Sequence, residues 1–223
     1  MSPSTVPSRL NPEEFSRLLE LLKLHYSFPL PIPLSGKYEL LFAKAVQGVQ
    51  EQRKLLFDVY HQGVGWSLKT FQTASQQFEV VIQRCDILSD ASVALDDPED
   101  KLGLKILERF YTFADISATE QRVSDPRAGF LLRDKQEKNF VFFQQSYERH
   151  APSDVKWRWA NDDRKSMMGF VNGTLTFRWY RSGTQLFGVY RVPEDAHHFQ
   201  IDVTRASLED AVRFFSSLPP SQE

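Results

Sequence analysis

The sequence is poor in cysteine and has no long hydrophobic run. Cys85 is the single cysteine among 223 residues, which excludes an internal disulfide and a zinc site built from several thiolates. No segment approaches the roughly 20 consecutive apolar residues that cross a bilayer, and residues 1–9 lack the apolar stretch of a secretory signal. We therefore expect a reduced, cytoplasmic protein with no membrane association.

The motifs of several large enzyme classes are also missing. The chain has neither G-x-x-x-x-G-K-[ST] nor G-x-G-x-x-G, the glycine-rich loops that bind nucleotide phosphates. It has no H-E-x-x-H motif for zinc and no G-x-S-x-G motif for a nucleophilic serine. We therefore expect neither nucleotide binding at a P-loop nor hydrolysis by a nucleophilic serine in a G-x-S-x-G turn.

The composition that remains is that of an ordinary folded protein. Hydrophobic residues make up 41% and charged residues 25%, and 18 Phe, 7 Tyr and 4 Trp supply ample apolar area for a core. The length favours one domain over residues 1–223, with a flexible Ser- and Pro-rich tail at 1–9.

Positive charge is concentrated late in the chain, although the net charge of the whole is only −2. Residues 149–191 contain eight Lys or Arg against three Asp, interleaved with eight aromatic residues. Basic residues among aromatics suit a nucleic-acid surface. They equally suit a sheet with aromatic residues on one face and solvated Arg on the other. Both interpretations of this basic, aromatic-rich β region, 139–205, stay open.

Hydrophobic periodicity predicts a mixture of helices and strands. The predicted helices span 12–26, 35–50, 75–85, a longer segment from 97 onward, and 207–217. The predicted strands span 54–60, 64–70, 139–144, 156–159, 174–180, 186–192 and 199–203. The helix at 75–85 rests on an i, i+3, i+4, i+7 pattern that begins at Phe78, although residues 80–82 alone would suit a strand. This order indicates an α/β or mixed α+β fold built around a mixed sheet.

The first predicted hairpin carries the candidate site. Asp58 lies late in its first strand, residues 61–63 form the turn, and Ser67 and Lys69 share one face of the second strand. These side chains can converge on one point. A carboxylate there suits a hard divalent cation such as Mg²⁺, and a neighbouring lysine can orient or help to deprotonate an attacking water. The pattern indicates metal-assisted attack on a phosphate.

This arrangement resembles the PD-(D/E)XK nucleases, the superfamily with the restriction-endonuclease-like fold. The family pattern is an Asp, a hairpin turn and then an acidic residue-x-Lys. Asp58 and Lys69 match its first acid and its lysine, whereas Ser67 stands at the second acid. One subgroup of type II restriction enzymes has Ser-x-Lys on the strand and a Glu on the following helix, and Glu79 is similar to that Glu. Glu39, in the second predicted helix, is similar to a further Glu near the metals of many members.

The resemblance covers about residues 35–86, within a catalytic core expected at 35–90. It implies a mixed β-sheet flanked by helices and a Mg²⁺-dependent endonuclease that cleaves double-stranded DNA. A type II restriction endonuclease acting as a homodimer is the most direct form of this function.

The resemblance also implies a role for each candidate residue. Asp58 and Glu79 would hold the metal, Lys69 would position the nucleophilic water, Glu39 would assist, and Ser67 would be a hydrogen-bonding neighbour. The candidates for DNA contacts are Gln83, Arg84, Arg178 and Arg181.

Other interpretations of the same residues remain open. Acid-x-Lys also occurs at Glu99/Lys101, Asp154/Lys156 and Asp163/Lys165. Of these, Asp154/Lys156 is the serious rival because it begins a predicted strand. Each candidate also has a purely structural interpretation, such as a turn cap or a solvated strand end. The alternative functions are a non-catalytic nucleic-acid-binding protein and a protein-interaction module.

Overall fold

Helices and two β-sheets together confirm the mixed α+β class. The structure is a computed structural model and describes residues 8–27, 34, 37–202 and 209. It is 28% helical and 36% strand, so neither kind of element dominates. The greater part of the predicted tail and the predicted helix at 207–217 lie outside the described residues. No helix in the described ranges is both long and apolar enough to cross a membrane.

The helices and strands have the following bounds, given in chain order. The helices are α1 (Pro12–Ser27), α2 (Tyr38–Ala45) and α3 (Glu99–Gln121). The strands are β1 (Val49–Gln50), β2 (Val59–His61), β3 (Val64–Gln72), β4 (Gln77–Arg84), β5 (Asp125–Arg133), β6 (Asn139–Ser146), β7 (Val155–Trp159), β8 (Ser166–Val171), β9 (Thr174–Tyr180), β10 (Gln185–Arg191) and β11 (His197–Gln200).

The six-stranded sheet is mixed and has the order β1-β2-β3-β5-β6-β11. Its one parallel pair is β3 with β5, in register from Val64 against Asp125. A parallel pair needs a crossover connection, and α3 lies within that connection. The turn between β2 and β3 is Gln62-Gly63, with φ of 47° and 82°. Two positive φ values in a two-residue loop match the right-handed twist of a tight hairpin.

The five-stranded sheet is antiparallel and has the order β4-β10-β9-β8-β7. β4 follows β3 directly along the chain, but the two strands belong to different sheets. The short link at 73–76 therefore carries the chain from one sheet to the other. As a result β4 is an edge strand of the second sheet.

The core has a layer on each face of the six-stranded sheet. Leu18 and Leu22 of α1 pack with Phe42 of α2 in the cluster that contains Trp66 of β3. Phe78 and Val80 of β4 pack with Phe130 of β5 and Phe143 of β6 on the other face. The two sheets are therefore held face to face by aromatic and branched side chains.

The predicted helix at 75–85 is wrong, because this segment is strand β4. Phe78, Val80 and Ile82 alternate with less buried residues and are each at most 8% exposed. β-branched residues favour a strand, and the segment pairs with β10 from Gln77 to Arg84. The apolar residues of this segment satisfy both the helical spacing i, i+3, i+4, i+7 and the alternation of a strand. Pairing with β10 makes the segment a strand.

Two predicted elements are shorter in the structure than in the prediction. The strand predicted at 54–60 is reduced to β2, so Asp58 precedes the strand, although its N–H still donates to the carbonyl oxygen of Trp66 (2.8 Å). Helix α2 ends at Ala45 and not near Gln50. Strands β5 and β8 were not predicted. In β5 the residues from Ala128 to Leu132 are all buried, and such a run lacks the alternation that marks a strand.

Candidate active site

A cavity between the β2–β3 hairpin and the edge strand β4 holds most of the predicted site. Its volume is about 590 Å³. The predicted residues that line it are Asp58, Ser67, Lys69, Glu79, Gln83 and Arg84. Apolar neighbours from the same elements and from β10 complete the lining, including Leu56, Phe71 and Phe187. The hairpin and β4 converge because the link at 73–76 is short.

Helix α3 fixes the backbone that leads into Asp58. The N–H of Leu56 donates to Oγ of Ser117 (3.0 Å), and Nε2 of Gln121 donates to the carbonyl oxygen of Phe57 (2.8 Å). Ser117 and Gln121 are buried, so these bonds form away from water. The two residues before Asp58 are therefore anchored from the C-terminal half of α3.

The Asp58 carboxylate reaches across the hairpin to β3. Its Oδ2 accepts the backbone N–H of Leu68 (2.6 Å). Burial raises the pKa of Asp58 from 3.8 to about 6; the Lys69 charge and the Leu68 N–H oppose this rise, and the negative charge of Glu39 adds to it. The carboxyl group is therefore close to its titration midpoint in mildly acidic solution.

Lys69 lies between Asp58 and Ser67. Its Nζ donates to Oγ of Ser67 (3.2 Å) and lies 4.0 Å from Oδ2 of Asp58. Ser67 is 2% exposed, whereas the Lys69 side chain is 29% exposed. The ammonium group thus faces the cavity while the hydroxyl holds it from behind.

Two tyrosines behind Ser67 were not predicted from the sequence. The Tyr147 side chain is hydrogen-bonded to those of Ser67 and Tyr190. Burial raises the pKa of Tyr147 to about 12, and the hydrogen bonds to Ser67 and Tyr190 act against that rise. Neither tyrosine has a sequence signal that links it to the hairpin, because Tyr147 follows β6 and Tyr190 lies in β10.

Glu79 reaches the cavity from a strand and is already partnered. Its Oε1 lies 3.2 Å from Nε of Arg178, and its Oε2 accepts a hydrogen bond from the Tyr180 hydroxyl (3.2 Å). Both partners lie on β9, so their side chains reach Glu79 over the intervening strand β10. Arg178 was predicted as a DNA contact, and its alternation with Tyr180 on β9 could have indicated a shared face.

Three other predicted residues lie at or outside the limit of the cavity. Glu39 of α2 does not line it and accepts a hydrogen bond from Nε2 of Gln50 (3.5 Å), although its charge acts on Asp58. Arg84 lines the cavity mouth and donates from Nε to Oγ1 of Thr184 (3.2 Å). Arg181 is exposed in the turn after β9.

The rival acid-x-Lys pairs do not reach this cavity. Asp154 lies in a short 3-10 turn, and Lys156 lies on β7, at the opposite edge of the five-stranded sheet from β4. Lys101 pairs with Asp97 (2.8 Å) at the start of α3. Lys165 pairs with Asp163 (3.0 Å) before β8.

The oxygen donors of the cavity fit a Mg²⁺ ion that keeps much of its water. Within residues 8–27, 34, 37–202 and 209, no three His, Cys, Asp or Glu side chains are grouped as metal ligands. Asp58 and Glu79 nevertheless line one cavity. Mg²⁺ is usually bound by one or two carboxylates together with waters and substrate phosphates. The donor set therefore suits this ion and does not form a closed protein cage.

The β2–β3 hairpin with the residues before it and strand β4 thus bring two carboxylates, a lysine and an arginine to one cavity, and Arg178 of β9 contacts one of these carboxylates. Comparison of the chain with protein-family models, curated proteins and solved structures finds no match.

Proposed function

We propose that the protein is a Mg²⁺-dependent endonuclease that hydrolyses phosphodiester bonds of double-stranded DNA, of the type II restriction class. The observation that carries this proposal is the shared cavity of Asp58, Lys69 and Glu79. These residues come from three segments of the chain, and the resemblance to PD-(D/E)XK nucleases implies a part in metal-dependent hydrolysis for all three. A cytoplasmic location and a homodimer belong to the same proposal, because two-fold symmetry suits palindromic sites.

The roles follow from the chemistry of each side chain. Asp58 and Glu79 would hold Mg²⁺, which when bound stabilises the negative charge that develops on the phosphate. Lys69 orients the attacking water with Nζ, which Ser67 holds in place by a hydrogen bond (3.2 Å). Asp58 must be ionised to bind a cation, and Lys69 beside it favours the ionised form.

Gln83 and Arg84 are placed to contact the substrate. Both line the cavity and lie on the same strand as Glu79, toward its C-terminal end. An amide can read a base edge and a guanidinium can bind a phosphate with two parallel bonds. DNA entering the cavity would meet both side chains next to the scissile phosphate.

Two observations favour a non-catalytic nucleic-acid-binding protein. Glu79 is engaged by Arg178 and Tyr180, and Ser67 supplies no carboxylate. A site that has lost its metal would show these two features. In that case the cavity would bind DNA and leave it intact.

DNA cleavage by the wild type and by Lys69→Ala distinguishes these functions. Plasmids and bacteriophage DNAs of varied sequence are incubated with Mg²⁺, and the products are separated by size. We expect discrete fragments from the wild type and a loss of about 100-fold or more in rate for Lys69→Ala. Lys23→Ala is the matched control, since it removes one exposed lysine from α1 and should cleave normally.

Chelation of the metal with EDTA should abolish cleavage by every variant. Intact DNA with the wild type, together with retained DNA binding and a folded circular dichroism spectrum, would contradict the nuclease and favour the binding protein. Fragments that persist in Lys69→Ala would place any cleavage outside this cavity.

A further inference from the structure

The five-stranded sheet has an outer face, which we define as the side turned away from the six-stranded sheet and α3. Successive side chains of a strand point to opposite faces. Phe78 and Val80 pack toward the six-stranded sheet, and Trp157 and Trp179 are buried in the cluster that contains the apolar residues of α3. The side chains that alternate with them point outward. Among these, Lys156 and Arg158 are exposed and Arg178 is half-buried.

One row of paired residues crosses all five strands on the outer face. From β7 to β4 its members are Arg158, Met168, Arg178, Phe187 and Val81. Phe187 and Val81 line the candidate active-site cavity, so the row ends there. Four steps between adjacent strands make it about 19 Å long. Along the axis of a DNA duplex this length corresponds to about five or six base pairs.

The cations of this face lie on aromatic rings. The Arg158 guanidinium lies 4.5 Å from the centre of the Phe170 ring, and that of Arg178 lies 5.9 Å from the Tyr180 ring. Lys156 is exposed and is paired with Phe170 across β7 and β8. A guanidinium stacked on a ring loses little further freedom when it binds a phosphate.

The face is complementary to a polyanion in charge. All residues of its five strands lie in the described part of the chain, and among the outward-pointing ones the single acid is Glu79. Arg178 neutralises it. Lys156 and Arg158 have no described carboxylate partner within 4.0 Å. The outward-pointing charges of the five strands therefore sum to a positive value.

We propose that the row from Arg158 to Val81, with Lys156 beside it, is the track on which the backbone of double-stranded DNA lies as it leads into the cavity. This inference rests on the proposed function for its substrate. It adds a DNA-contacting surface that begins at the sheet edge farthest from the active site. Lys156 and Arg158 bind phosphates, and Phe170 holds Arg158 in the binding orientation.

The test measures DNA binding in EDTA, so that cleavage plays no part. The affinity of the full chain for a short fluorescein-labelled duplex is followed by fluorescence anisotropy as the salt concentration is raised. The logarithm of the binding constant falls linearly with the logarithm of the salt concentration, and the magnitude of this slope is about 0.9 for each phosphate contacted. We expect the double variant Lys156→Ala/Arg158→Ala to lower this slope by about 2.

Two further variants separate the track from a general effect of charge. Lys135→Ala/Lys138→Ala removes two exposed lysines from the turn between β5 and β6 and should keep the wild-type slope. Phe170→Leu keeps every charge, so it should also keep the slope while weakening binding about two- to fivefold. Circular dichroism checks that each variant is folded.

The outcomes separate this inference from the proposed function. Equal slopes for the wild type and Lys156→Ala/Arg158→Ala would overturn the track, even if the protein cleaves DNA. An equal loss of slope in both double variants would also overturn it. A loss confined to Lys156→Ala/Arg158→Ala supports the track, even if no cleavage is found.

Discussion

The Asp58 carboxyl group lies beside a lysine and nevertheless holds its proton more tightly than a free aspartate does. Burial has a larger effect on its pKa than the Lys69 charge, and Glu39 adds a second negative charge nearby. Ionisation of such a buried carboxyl group costs free energy while no cation is bound. A cation that binds in the cavity would remove that cost, which is a common feature of functional sites.

The stability of the fold should therefore depend on the ionisation of Asp58. The pKa is 3.8 for the ordinary side chain and about 6 in the folded protein. Between these values the folded state binds more protons than the unfolded state, so a rise in pH destabilises the fold. We expect the Asp58 contribution to lower the free energy of unfolding by about 1–3 kcal/mol from pH 4 to about pH 7, one unit above the folded pKa, with no further change at higher pH.

Urea unfolding of the wild type and of Asp58→Asn at a series of pH values in EDTA measures this contribution. Asparagine keeps an oxygen that can accept the Leu68 N–H and does not titrate. The wild type should lose stability relative to Asp58→Asn as the pH rises through this range. A difference that stays constant, or that grows in favour of the wild type, would contradict the raised pKa.

Arg178 controls the availability of Glu79. Because the guanidinium occupies Oε1 at 3.2 Å, a cation must compete with it in the absence of DNA. Arg178→Ala should therefore bind Mn²⁺, used in place of Mg²⁺, severalfold more tightly in isothermal titration calorimetry. Arg181→Ala is the control, since Arg181 is exposed in the next turn. An unchanged or weaker affinity in Arg178→Ala would show that Glu79 does not bind the cation.

At the scale of elements, strand β7 depends on close packing against α3. A Cβ atom at Gly103 would lie 2.0 Å from Cδ1 of Trp157, so only glycine allows this approach. Asp100, also in α3, accepts the backbone N–H of Trp157 (3.2 Å). The helix and the strand are thus joined at two neighbouring positions, which fixes the edge of the five-stranded sheet.

Gly103→Ala should destabilise the protein, although alanine is the better helix former. Helix propensity alone predicts a gain of about 1 kcal/mol, whereas overpacking against Trp157 predicts a loss of about 1–3 kcal/mol. We expect the loss to be larger. Thr112→Ala, at an exposed position of the same helix, should be neutral or slightly stabilising. Thermal unfolding compares the two, and a higher melting temperature for Gly103→Ala would contradict the packing.

Local signals were sufficient for the hairpin and for the long helices. The turn predicted at 61–63 and the flanking alternation predict the β2–β3 hairpin, although the turn is Gln62-Gly63 and His61 ends β2. The cap at Asn11 predicts the start of α1. Oδ1 of Asn11 accepts a hydrogen bond from the backbone N–H of Glu14 (2.9 Å), as a capping side chain does. Strand β4 was misjudged because its pairing with β10 involves residues about 100 positions away, and no local pattern contains that information.

The candidate site was predicted for residues near one another in the chain and missed for distant ones. Asp58, Ser67 and Lys69 share the hairpin, so spacing and alternation place them together. Glu79 was expected on a helix and lies on a strand, but it reaches the same cavity because the preceding link is short. Tyr147 follows β6 and contacts Ser67, and Arg178 lies on β9 and contacts Glu79; only the arrangement of the two sheets produces these contacts.

At the scale of the whole molecule, the two sheets divide the proposed work between them. The six-stranded sheet supplies Lys69, the segment that leads into its strand β2 supplies Asp58, and the five-stranded sheet supplies Glu79. The basic, aromatic-rich region forms most of the second sheet, and its outward-facing cations lie on the side that leads to the cavity. Cleavage would thus depend on the cavity, and DNA binding on the outer face that leads into it, so variants at Glu79 and at Lys156 or Arg158 should have separable effects.

The most direct measurement compares cleavage of the same DNAs by Glu79→Gln and Asp154→Asn with Mg²⁺. Each variant removes one carboxylate, from the cavity in the first case and from the rival acid-x-Lys pair in the second. We expect Glu79→Gln to lose about 100-fold or more in rate and Asp154→Asn to cleave like the wild type. Normal cleavage by Glu79→Gln with loss in Asp154→Asn would contradict the assignment of the active site to the hairpin and β4.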